Sequence, residues 1–262
     1  MKALCLHSKQ EIETFLRRDT FLHIYSIGDL DSFFWPYTTW YALRDSQDEI
    51  TELALLYFGT SLPVLLAISE EPGDGMRELL QSISHLLPKR FYAHLSGDRA
   101  SNFADDYHIQ PHGLHYKMAL IYKERVNTIN TSSVVPLTVS DLPALEDLYR
   151  VSYPGNSFDP RMLETGYYYG IWQGKDIISV AGVHVYSQRY KVAALGNVTT
   201  HPDFRGQGLG TAVCAKLCQA LLRTIDHIGL NVKADNASAI ASYKRLGFEI
   251  IAEYSEYAFE VK

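Results

Sequence analysis

Between residues 201 and 210 the chain reads HPDFRGQGLG, and this stretch restricts the fold more than any other. Glycines at 206, 208 and 210 let the backbone come close to a ligand with no Cβ in the way. The apolar run Val192–Thr200 (VAALGNVTT) precedes the stretch and reads as a strand. In the segment after it, Thr211–Arg223, the residues Val213, Leu217, Ala220 and Leu221 recur at helical spacing. The unit is therefore strand, Pro-containing bend, glycine-rich turn and helix. The first N–H groups of that helix have no partner inside it, and its dipole favours negative charge. With Arg205 as an added cation, the spacing predicts a phosphate cradle.

Two common phosphate motifs are absent. A P-loop needs Lys after the last glycine, and a dinucleotide fingerprint needs G-x-G-x-x-G, whereas residues 206–210 read GQGLG. The match is R-x-x-G-x-G, from Arg205 to Gly210. A strand-like LNVKAD follows, and then NASAIASYKRLGF, which fits N-x-x-A-x-x-x-Y-x-x-x-G-F with Asn236, Ala239, Tyr243, Gly247 and Phe248. Taken together, residues 135–262 resemble the GNAT superfamily of acyl-CoA-dependent N-acetyltransferases. The resemblance implies an α/β fold with a mixed sheet and acetyl-CoA as cosubstrate. It implies that Arg205, Gly206, Gln207, Gly208, Leu209, Gly210 and Thr211 hold the diphosphate. It places the pantetheine arm along Val198, Thr199 and Thr200, with a backbone N–H near Thr200 facing the thioester oxygen. Tyr243 becomes the general acid for the leaving thiolate, and Asn236 a helix cap that can also contact the cofactor arm. The family draws its base from varying positions. The candidates here are His184, Asn197 as a water-holder, Glu164 and Asp159. The turn-rich stretch Tyr153–Gly166 corresponds to the region that lines the family's acceptor site.

The first half of the chain has a parallel element order. Ser8 to Glu11 (SKQE) is a capping-box pattern that starts a helix, and a short helical stretch follows at 21–27. Strand patterns lie at 38–43, 50–58 and 63–68. A helix at 74–87 stops before Pro88, and a strand at 90–95, a short helix at 99–107 and a strand at 115–122 complete the half. The second half repeats this order with helices at 140–152 and 162–166, strands at 168–172, 177–186 and 192–200, the cradle helix, a strand at 228–233, a helix at 237–246 and a last strand at 253–261. We read an internal duplication: a degenerate GNAT-like domain at 1–125, a polar linker over 123–134, and a catalytic domain at 133–262. The first half has no R-x-x-G-x-G, so no second cofactor is expected there.

Composition narrows the function. With 24 basic and 30 acidic residues the formal net charge is -6, which gives no bulk attraction to nucleic acid or anionic membrane. The N-terminal residues turn polar too early for a signal peptide, and no apolar run reaches membrane-spanning length. Three cysteines, Cys5, Cys214 and Cys218, form no disulfide framework, which favours a reducing, cytoplasmic setting. Cys214 and Cys218 read as buried small hydrophobes, and no metal site is expected, including at His108, His112 and His115. The aromatic block around Trp35, Tyr37 and Trp40 reads as packing. The partner expected is a small-molecule or peptide amine. Two other readings stay open: a longer-chain N-acyltransferase of the same fold, and a non-catalytic CoA-binding sensor or assembly module.

Overall fold

A computed structural model describes residues 1–69 and 73–262. In chain order its strands and α-helices are β1 (Lys2–Leu6), α1 (Lys9–Leu16), α2 (Ile24–Gly28), β2 (Thr38–Arg44), β3 (Ile50–Tyr57), β4 (Val64–Ala67), α3 (Asp74–Ile83), β5 (Arg90–Leu95) and β6 (Tyr107–Leu120). They continue with β7 (Val135–Pro136), α4 (Leu142–Ser152), β8 (Tyr169–Gln173), β9 (Asp176–Ser187), β10 (Val192–Thr200), α5 (Leu209–Leu221), β11 (His227–Lys233), α6 (Ala237–Leu246) and β12 (Phe248–Val261). The mixed α/β fold read from the sequence is the fold observed. The chain divides into two compact units. The first is Met1–Lys117 with Lys233–Asp235 and Ile251–Lys262, and the second is Met118–Val232 with Asn236–Ile250.

In the first unit the strand order is β1-β2-β3-β4-β5-β12. Ser8 caps α1 as its sequence pattern requires, accepting from the Glu11 N–H at 3.3 Å. One core joins Met76, Leu79, Leu80 and Ile83 of α3 to Tyr41, Leu56, Leu65, Phe91 and Phe259. The Phe91 and Phe259 rings stack with centroids 4.7 Å apart. Parallel β4 and β5 stay paired from Val64–Tyr92 to Ala67–Leu95. Backbone bonds from Tyr92 N–H to Pro63 and from Ser96 N–H to Ala67 extend the pairing at both ends. No gap opens between these two strands.

The sequence assigns residues 253–261 to the second half. In the structure Ser255–Glu260 pair antiparallel with Leu95–Arg90, so the last strand completes the first unit's sheet. The physical reason is apolar alternation. Phe259 on this strand fills the aromatic core around Phe91 and Phe103, with ring centroids 4.7 and 5.2 Å away. The expected linker also carries structure. Lys123–Thr128 is a short 3-10 helix whose Val126 is buried and whose Val126 carbonyl accepts from Gln219 of α5 at 2.8 Å. The helix expected at 99–107 is only a 3-10 turn, Ala100–Phe103, and β6 begins at Tyr107.

The second unit's strands run β11-β10-β9-β8-β7. Helix α5 buries Val213, Cys214, Leu217, Cys218 and Leu221, a face nearly all round. Burying one Leu of this kind stabilises by about 1.5–3 kcal/mol, so the helix is a fixed platform for the turn before it. Burial pushes the Cys214 thiol up to about 12 and Cys218 also well up, which makes both inert packing groups. At the end of α6, Gly247 takes φ +100° and its carbonyl accepts from the N–H groups of Ile121 and Tyr122. A Cβ there would lie 2.3 Å from the Tyr122 carbonyl oxygen, which explains the glycine of the G-F pair.

Candidate active site

The site begins where β10 and β11 part. They pair in parallel from Val192–His227 to Leu195–Leu230 and no further, although β10 runs to Thr200 and β11 to Lys233. β10 is also irregular against β9. Gly196 faces Gly182 and Thr199 faces Val180, which leaves one extra residue between them. Asn197 lies in this bulge with φ +54°. Tyr149 of α4 donates to the Asn197 carbonyl at 2.9 Å. The Asn197 Nδ2 donates to the Tyr168 hydroxyl at 3.1 Å, and that hydroxyl donates to the Val183 carbonyl at 3.3 Å. Burial raises the pKa of both Tyr149 and Tyr168 well above the usual phenol range, so both remain protonated donors.

After β10, a Pro202–Phe204 turn leads to the glycines. Gly206 and Gly208 have φ +76° and +78°, and a Cβ at either would meet nothing within 4 Å. The conformation calls for glycine and the space in front of it is open, as a backbone cradle for a ligand needs. Gly208 is the N-cap of α5 and offers no side chain, so the helix's leading N–H groups face outward. Arg205 donates from Nε to the Thr200 carbonyl at 3.2 Å. It ties the cradle to the end of β10 as well as adding positive charge. Thr200 Oγ1 lies 2.8 Å from Ser179 Oγ and 3.4 Å from where a Gly210 Cβ would be. Thr211 is buried, whereas Gln207 is exposed and Leu209 half-buried. A diphosphate fits this arrangement: open glycine φ/ψ, outward N–H groups and one guanidinium.

Asn236 caps α6, accepting from the Ala239 N–H at 3.2 Å. Tyr243, on the same helix, is 8% exposed and packs edge-on against Phe248 with centroids 5.9 Å apart. His184 of β9 lies beside Gly196, whose Cβ would be 2.6 Å from the His184 Cβ. Burial lowers the His184 pKa, which favours its neutral imidazole over the charged form. Asp159 fits a base poorly. Arg161 binds it at 2.6 Å and its hydrogen bonds lower the Asp159 pKa. Glu164 is exposed. Val198 is half-buried and Thr199 buried along the bulge.

Part of the turn-rich stretch 153–166 lines a cleft. Pro154, Asn156 and Phe158 join Glu146, Tyr149 and Arg150 around about 330 Å³. Sequence reasoning missed Tyr149, Tyr168, Ser179 and Asn231. The last is notable because its Oδ1 is buried and has no hydrogen-bond partner. In a strand a polar residue at alternate positions looks the same whether it faces solvent or a ligand, so no local signal marked Asn231 or Ser179. Among the described residues no cluster of three or more His, Cys, Asp or Glu could hold a metal ion, and no helix is long and apolar enough to cross a membrane.

Comparison with known proteins finds relatives over the second unit. The family described as "Acetyltransferase (GNAT) family" matches residues 138–248. The [ribosomal protein bS18]-alanine N-acetyltransferase of Escherichia coli is 44% identical over 57 residues, which is 21% of this chain and 38% of that protein. The mycothiol acetyltransferase of Corynebacterium jeikeium is 46% identical over 50 residues, 19% of this chain and 14% of that protein. The chain thus aligns with well under half the length of these relatives. A tandem GNAT protein from the clavulanic acid biosynthesis pathway superposes with TM-score 0.54 at 14% identity and covers 98% of both chains, a likeness of fold across both units. By its motifs and these matches, the segment 138–248 belongs to the GNAT acetyltransferase family.

Proposed function

We propose that the second unit transfers an acetyl group from acetyl-CoA to a primary amine by direct attack, without an acyl-enzyme. The observation that carries this reading is the parting of β10 and β11 beyond Leu195 and Leu230, next to a cradle with open glycines. Residues 205–211 hold the diphosphate and the free edge of Val198–Thr200 supplies N–H and C=O groups to the pantetheine amides. Acetyl-CoA supplies the activated acyl group. A backbone N–H near Thr200 meets the negative charge that develops on the acyl oxygen, as a one-donor oxyanion hole. Tyr243 holds the proton that the departing thiolate takes up, since a phenol near pKa 10 and a thiol near 8.5 are matched for that exchange. His184, kept neutral by burial, is the base that takes the amine's proton.

The first unit is a degenerate copy of the same fold that takes no second acyl-CoA. Its β4 and β5 remain paired where the second unit's strands separate. The acceptor is a peptide or small-molecule amine. The bS18-alanine enzyme, a relative over this motif region, acts on a protein amine.

Thiol release from acetyl-CoA, measured over a panel of α-amino peptides, amino sugars and small primary amines, tests this reading. Amine-dependent release with acetylated product is expected. Release only with longer acyl chains would reassign the acyl group. Saturable acetyl-CoA binding with no release for any amine would make the chain a CoA-binding module.

A further inference from the structure

We infer that Asn231 binds the acceptor, its carboxamide oxygen taking a hydrogen bond from the attacking amine. The inference rests on the transferase reading above and names one residue of its acceptor site. Leu195 and Leu230 are the last register partners of β10 and β11, so the next residues, Gly196 and Asn231, point together to the opposite face. Three contacts identify that face. A Cβ on Gly196 would lie 2.6 Å from the His184 Cβ, one on Gly182 would enter the Tyr168 ring, and Thr199 Oγ1 reaches the carbonyl of Ser152 at the end of α4 at 3.5 Å. It is the α4 face, and α4 also carries Glu146, Tyr149 and Arg150 of the cleft.

The cradle belongs to the other face. Thr200 is one residue beyond Thr199 and therefore points the opposite way, where its Oγ1 lies 3.4 Å from a Gly210 Cβ position on α5. A ligand that threads the parted strands puts its phosphates toward α5, while Asn231 looks toward α4, the side from which an acceptor arrives. The buried Oδ1 has no hydrogen-bond partner, and a buried acceptor without a donor costs stability that a ligand N–H recovers. A primary amine brings such an N–H. Holding one N–H on Oδ1 leaves the nitrogen lone pair free to point at the thioester carbon. As the C–N bond forms and the C–S bond breaks, the nitrogen becomes positive and the same hydrogen bond strengthens. The surplus proton then leaves to the base, and the thiolate takes its proton from Tyr243.

Asn231→Leu keeps the volume and removes the acceptor, while Asn231→Asp keeps an oxygen in place. Each is assayed with the amine that gives the fastest wild-type turnover in the panel, and acetyl-CoA binding is titrated separately. The expected result for Asn231→Leu is a fall of about 10–100-fold in kcat/KM for the amine with the acetyl-CoA dissociation constant within about twofold of wild type. Asn231→Asp recovers most of the loss. If Asn231→Leu fails to fold, Asn231→Ala serves the same comparison. An unchanged kcat/KM for the amine overturns the inference. So does a loss confined to acetyl-CoA affinity, because the oxygen would then serve the cofactor arm. Both outcomes require an active wild-type enzyme and leave the transferase reading standing. A wild-type chain that binds no acetyl-CoA removes that reading and this inference with it.

Discussion

The Tyr149 hydroxyl donates to the carbonyl of Asn197 at 2.9 Å, linking α4 to the bulge of β10 just before Val198–Thr200. Asn197 holds φ +54°, a conformation that costs most residues about 1–3 kcal/mol. Its own side chain then reaches Tyr168 at 3.1 Å. The bulge is thus held from its backbone and its side chain at once. Tyr149→Phe leaves a buried carbonyl unpaired and is expected to lower stability by about 1–3 kcal/mol in urea unfolding. Asn197→Gly retains the backbone angle and Asn197→Ala does not, so acetyl-CoA binds more tightly to the glycine variant. Equal affinities in those two variants would show that the bulge does not shape the cofactor edge.

Tyr243→Phe separates proton supply from binding. Loss of a general acid typically costs ~10²–10⁴ in rate. The expected result is a fall in kcat of that order with acetyl-CoA affinity nearly unchanged. Unchanged turnover would remove Tyr243 from the mechanism.

His184 gives a pH test. Its pKa is lowered by burial from 6.5, so the neutral, proton-accepting form persists to lower pH than in a free imidazole. With His184 as base, the acid limb of kcat/KM lies below pH 6.5, and His184→Gln abolishes the limb along with most of the rate. A limb at or above 6.5, or one that survives in His184→Gln, assigns the base elsewhere.

Asp29 in the first unit gives a stability test independent of catalysis. Burial raises its pKa from 3.8 to about 7. Between those values the unfolded chain has released the proton and the folded chain still holds it, so this group's contribution falls as pH rises. Asp29→Asn is therefore expected to stabilise the protein at pH 7, by roughly 2–4 kcal/mol, with the gain gone near pH 4. A gain that is the same at both pH values would show that Asp29 does not titrate in this way.

The backbone conformation of the glycine turn and the cap of α6 were legible in the residues. Gly206 and Gly208 have the positive φ that the motif demands, and Asn236 caps α6. Such features depend on neighbours close in sequence. The partner of β12 depends on tertiary packing, and a segment with Phe259 at an apolar alternate position pairs equally well in principle with either unit. The β1 strand, only five residues long, carries too short a pattern to stand out before the capping box at Ser8. Asn231 and Tyr149 became meaningful only once the strands and α4 were placed around them.

The parted strands and the glycine cradle of the second unit are expected to bind one acetyl-CoA. Titration calorimetry of acetyl-CoA into the purified wild-type chain and into Gly208→Val tests it most directly. At φ +78° a valine strains the turn and places its side chain in the open space before α5. The expected result is a saturable isotherm near one site per chain for wild type and a loss of affinity of about tenfold or more for a folded Gly208→Val. Two sites per chain, or wild-type affinity in the valine variant, would contradict it.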